Sequence, residues 1–125
     1  MVRLSPRLSK RVQVKDANKR LVYKKMNSYY QVIAADTQGA LGSNPHGAAA
    51  DEILAWRNRP MWDALRSGMG SGARKQPLMV AATTAEDNPT SFAANMHNEM
   101  ERVQEDPPRA PHIFTFLRNT PQDAD

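Results

Sequence analysis

GAAADEILAWRNRPMW, residues 47–62, supports two local structures, and the choice between them sets the fold. In one, Asn44 caps a helix, Pro45 is its first residue, and the helix formers from Ala48 to Trp56 carry it over residues 46–57. In the other, Ala48 to Asp51 is a short buried strand that stops at the acidic pair Asp51–Glu52. Hydrophobic periodicity does not separate the two over so few residues. A helix makes the two acids ordinary solvated side chains, whereas a strand sets them at its carboxyl end.

Outward from this stretch the signals are clearer. Pro60 suits a first helical turn, and Met61, Trp62, Leu65 and Met69 fall at helical spacing, so a helix with one apolar face is expected, stopped by the glycines of 68–72. Pro77 introduces Leu78 to Thr83, a continuous apolar run of the kind found in buried parallel strands. Asp87 to Pro89 opens a helix over Thr90–Gln104 with Phe92, Met96 and Met100 on one side. Pro107, Pro108 and Pro111 make a stiff linker, and His112 to Leu117 reads as a last strand. Upstream, Ser5-Pro6 starts a short turn to Lys10, and Val12 and Val14 alternate with polar residues. Arg20–Lys25 and Tyr29–Ala34 form a hairpin through Met26-Asn27-Ser28, and 37–46 is a loop. Strands alternating with helices indicate an α/β fold with parallel pairing.

The 125 residues make one domain or part of one. Hydrophobic residues are 40% and aromatics 6%, so the core is thin in large anchors. With no cysteine, disulfides, thiolate metal sites and cysteine nucleophiles are excluded, and a reducing, cytoplasmic setting is expected. No apolar run approaches the ~20 residues of a membrane span. Residues 1–25 hold nine Lys/Arg against Asp16, a local charge of +8, and since the whole chain is +4 the remainder is −4. Such asymmetry marks a polyanion-facing end. Lys24, Lys25, Tyr29 and Tyr30 interleave charge with rings in the manner of single-strand binders. A small basic nucleic-acid-binding protein is therefore the alternative reading of the whole chain.

Other motifs carry less. Gly42-Ser-Asn-Pro-His-Gly47 has the spacing of a phosphate loop, but Ala48-Ala49 stand where Lys and Ser/Thr are required. The glycines 68, 70 and 72 follow a helix rather than a strand, the wrong context for a dinucleotide loop. His46, His97 and His112 are scattered and make no metal set. The acidic pair has a sharper use. A strand of small residues ending in Asp-Glu suits phosphoryl transfer, the first carboxylate ordering the Mg²⁺ shell and the second orienting and deprotonating the attacking water. Thr83 and Thr84, closing the next apolar run, place two hydroxyls beside such a pair.

Taken together, NPHGAAADEILAWRNRPMWDAL (44–65) and GSGARKQPLMVAATTA (70–85) resemble the large subunit of tailed-phage terminases. That family shows a G-x-N-P loop, here Gly42 to Pro45, a Walker B strand ending Asp-Glu, W-D-A-L, and G-A-R-[RK]-x-P-L leading to a strand that ends Thr-Thr. The resemblance implies a partial P-loop NTPase fold, a mostly parallel sheet with an N-terminal β-hairpin and flanking helices, and makes Ala48–Asp51 a strand. It implies Asp51 as the residue holding Mg²⁺ through water, Glu52 as the catalytic base, and Asp51, Thr83 and Thr84 as nucleotide contacts. Thr83–Thr84 correspond to the motif coupling hydrolysis to DNA movement. Implied cofactors are ATP and Mg²⁺. Implied partners are double-stranded viral DNA, the terminase small subunit and the portal, in a homo-oligomeric ring in the host cytoplasm. The family's Walker A loop and nuclease domain fall outside this sequence. Residues 1–125 are thus expected to be part of one ATPase domain, with 1–19 a basic N-terminal segment, inactive alone. Gln38-Gly39-Ala40 carry no charge for a trans-acting arginine, and Arg74 is a candidate phosphate or neighbour contact.

Overall fold

The computed structural model describes residues 2–34, 42–56, 59–70, 72 and 75–119. It divides into two compact units, residues 1–40 and 41–125.

The first unit opens with α1 (Pro6–Ser9), whose N-cap Ser5 accepts a hydrogen bond from the Leu8 amide. Three antiparallel strands follow, β1 (Gln13–Lys15), β2 (Arg20–Tyr23) and β3 (Ser28–Gln31), in the order β1-β2-β3. The expected hairpin is there, built into a meander. Its turns are single 3₁₀ turns closed by left-handed residues, Lys19 at φ 49° and Asn27 at φ 46°. Register pairs Val14 with Leu21 and Leu21 with Tyr30, so these share one face, while Gln13, Val22 and Tyr29 share the other. No described residue of this unit is fully buried.

The second unit is an α/β arrangement built on β4 (Gly47–Ala50), α2 (Pro60–Met69), β5 (Leu78–Ala81) and α3 (Phe92–Glu105). β4 and β5 pair in parallel, Gly47 with Leu78 through Ala50 with Ala81, and α2 lies on the connection between them. The helix that propensity places over 46–57 does not form. Gly47 to Ala50 pair with Leu78 to Ala81 instead, and tertiary pairing overrides a weak intrinsic preference.

α2 matches its pattern: Met61, Leu65 and Met69 are buried and Trp62 half-buried. Gly68 does not stop this helix but lies inside it. A Cβ there would run into the Ser43 carbonyl oxygen and crowd Pro45 Cδ at 3.2 Å, so the glycine lets the loop before β4 lie against the helix. α3 is capped by Ser91, which accepts from the Ala94 amide at 3.0 Å. Its fully buried side chains are Ala93 and Val103, with Phe92, Met96 and Met100 partly covered. The core under β4 joins Ala50, Ile53 and Ala93 with Trp56, Trp62, Met79 and Phe92. The Trp62 and Phe92 rings lie 6.2 Å apart at 58°.

Two expectations fail here. β5 pairs in parallel but is not buried: Leu78 is 64% and Val80 54% exposed. Among the described residues it has one strand neighbour, so its apolar run is half covered. The strand over His112–Leu117 is absent too, and Phe114 is 91% exposed. No strand among the described residues pairs with it, and alternation alone supplies no hydrogen bonds. The segment folds back through its end instead, Asn119 Nδ2 donating to Glu101 Oε1 at 2.9 Å.

Candidate phosphoryl-transfer site

The acidic pair sits between two buried anchors. Ala50 is 4% and Ile53 1% exposed, and the chain between them must turn outward, so Asp51 and Glu52 are both exposed. The ladder continues past the strands: the Ala82 amide donates to the Ala50 carbonyl at 2.9 Å and the Ile53 amide to the Ala82 carbonyl at 3.3 Å. Glu52 makes the turn in the left-handed region, φ 52° and ψ 56°, and leads into a 3₁₀ turn over Ile53–Ala55. A residue carrying a Cβ held there is strained by about 1 kcal/mol.

The end of β5 holds this turn in place. Thr83 Oγ1 accepts the Leu54 amide at 2.9 Å and donates to the Thr84 carbonyl at 3.2 Å. Thr84 Oγ1 donates to Glu52 Oε1 at 3.2 Å. The structure thus brings Glu52, Thr83 and Thr84 together and sets Asp51 next to them at the carboxyl end of β4. The two threonines do different work: Thr83 fixes backbone, and Thr84 orients a carboxylate.

No Lys or Arg among the described residues forms an ion pair with Asp51 or Glu52. The described residues contain no cluster of three His, Cys, Asp or Glu side chains fit to cage a metal. This donor set suits a hydrated Mg²⁺, which keeps several waters and takes one or two carboxylates plus substrate phosphates rather than a protein cage. Glu86 is an acid that sequence reading passes over; one of its carboxylate oxygens is buried without a hydrogen-bond partner. Only its place two residues beyond Thr84 hints at it.

The other sequence candidates do not converge here. His97 bonds Glu101 at 3.1 Å, and His112 lines a cavity with Arg66, Arg102 and Arg109. Tyr29 and Tyr30 point to opposite faces of β3, and the Arg20 guanidinium covers the Tyr29 ring at 4.4 Å, so no continuous stacking platform forms. Arg74, Gln38 to Ala40 and the tail from 120 lie outside the described residues. No helix among the described residues is long and apolar enough to cross a membrane.

Comparison with known proteins identifies the family and the fold. A family model described as terminase large subunit, ATPase domain, matches residues 1–104. Among solved structures, the chain shares its fold with the crystal structure of the HK97 bacteriophage large terminase, at a TM-score of 0.79 and 24% identity. The match covers 99% of this chain and 25% of that one, so the chain spans a quarter of the solved protein's length. No curated protein matches. With a parallel strand pair ending in two carboxylates and a family match over most of its length, the chain belongs to the family of terminase large-subunit ATPase domains.

Proposed function

We propose that residues 1–125 are the Walker B and coupling portion of an ATP-driven motor that moves viral double-stranded DNA into a capsid. The observation that carries this reading is the Glu52 carboxylate at the end of a parallel strand, hydrogen-bonded by a hydroxyl from the end of the neighbouring strand. Asp51 would hold a hydrated Mg²⁺. When bound, Mg²⁺ neutralises charge on the transferred phosphoryl group. Glu52 orients the attacking water and takes its proton. Thr84 keeps the Glu52 carboxylate turned toward β5, and Thr83 keeps the backbone turn that presents it.

The partly exposed β5 and its single strand neighbour among the described residues support a larger sheet, completed by the part of the domain that cradles the phosphates. On this reading the assembled motor is a homo-oligomeric ring working with a small subunit and a portal in the host cytoplasm. The 125-residue chain alone gives no ATP turnover above background. In a complete motor containing this segment, Glu52→Gln lowers turnover by about 10²–10⁴-fold with nucleotide binding retained. Glu52-dependent turnover by the isolated chain overturns the proposed incompleteness, and full turnover by the Gln variant in the complete motor overturns the catalytic assignment.

A further inference from the structure

A second site lies wholly within the first unit. A groove of about 600 Å³ is lined by Lys10, Arg11, Lys24 and Lys25, with Val12, Gln13 and Tyr23 among its walls and no acidic residue. The antiparallel pairing of β1 with β2 brings the chain before β1 and the chain after β2 to the same end of the sheet. β1 and β2 pair Gln13 with Val22 and Lys15 with Arg20. Past the ladder, Lys10 and Arg11 follow the end of α1 and Lys24 and Lys25 begin the 3₁₀ turn after β2, and both pairs line the groove. Like charges gathered in one groove repel, and a chain gains nothing for its fold by collecting them. All four side chains are exposed, and none has an ion-pair partner among the described residues. Asp16, the acid among the unit's described residues, is already paired with Arg3.

We propose that this groove between α1 and the β2–β3 turn seats the phosphodiester backbone of a nucleic acid. The proposal deepens one part of the reading above, the contact with DNA, and needs none of the roles given to Asp51 and Glu52. Lys10 and Arg11 from one side and Lys24 and Lys25 from the other neutralise successive phosphates. Tyr23 and Gln13 offer a hydroxyl and an amide to phosphate or sugar oxygens. These contacts fix position along the backbone and read no sequence.

The test is fluorescence anisotropy of the full 125-residue chain with a labelled 20-base-pair duplex and the corresponding single strand. Four phosphate contacts give a slope of about −3.6 in log K against log salt for duplex, so a fourfold rise in salt weakens binding roughly a hundredfold. Lys24→Gln/Lys25→Gln is expected to weaken binding at least tenfold and to flatten the slope by about 1.8. Arg7→Gln/Lys15→Gln removes the same net charge from outside the groove and is expected to stay within twofold; circular dichroism checks that both variants fold. Tighter binding of either form of DNA supports the proposal and says which form the groove prefers. Equal weakening by both variant pairs, or a flat salt response, overturns it. So does displacement of the duplex by poly-glutamate at matched charge, which would make the partner an acidic protein segment. ATP turnover is read separately, so failure here leaves the Asp51–Glu52 assignment standing.

Discussion

Glu52 holds its place in the left-handed region without the freedom of a glycine. Glu52→Gly relieves that backbone and removes the carboxylate, so stability should hold or rise by up to about 1 kcal/mol in urea denaturation while catalysis in a complete motor is lost. A loss of more than about 1 kcal/mol would mean the side chain matters to the fold. Thr83 predicts the opposite division. Thr83→Val removes the acceptor of the Leu54 amide and should cost about 0.5–1.5 kcal/mol, whereas Thr83→Ser keeps the bond and most of the stability. If Val and Ser behave alike, that hydrogen bond does not hold the turn. Sequence showed that Thr83 and Thr84 belonged near the acids. It did not show that one serves the backbone and the other the carboxylate, because that depends on how two strand ends fall against each other.

At the scale of elements, Gly68 reverses a common rule. Glycine to alanine inside a helix ordinarily stabilises by about 1 kcal/mol. Here the new methyl would enter the Ser43 carbonyl, so Gly68→Ala should lower the thermal midpoint, read by circular dichroism. α2 was legible because Pro60, Met61, Leu65 and Met69 write their own period. β4 was not, because a run of alanines favours helix locally and becomes a strand only through a partner 31 residues on, from Gly47 to Leu78. The failed strand at 112–117 is the converse, a good alternating pattern with no partner among the described residues.

Across the whole molecule, burial is uneven. Among the described residues the buried hydrophobics run from Ala50 to Ala110, and none lies in the first unit. Amide exchange should therefore be slowest around Ala50, Ile53 and Leu65 and faster throughout β1–β3, measured by mass spectrometry on the full chain. Uniform protection across both units would contradict the division at residue 40. The basic charge of residues 1–25 was plain in the sequence, but its concentration into one groove depends on where the fold sets the end of α1 and the turn after β2.

The bond from Thr84 to Glu52 also has a consequence for how the site comes into being. It joins residues 32 positions apart, and the ladder beneath it is parallel, so it forms only after the α2 crossover has closed. Such long-range pairing is paid in loop entropy before any contact repays it, and it forms slowly. A nascent chain that has passed Glu52 but not yet Thr83 carries both carboxylates and none of their setting. The acids are translated early, and they become a site about thirty residues later.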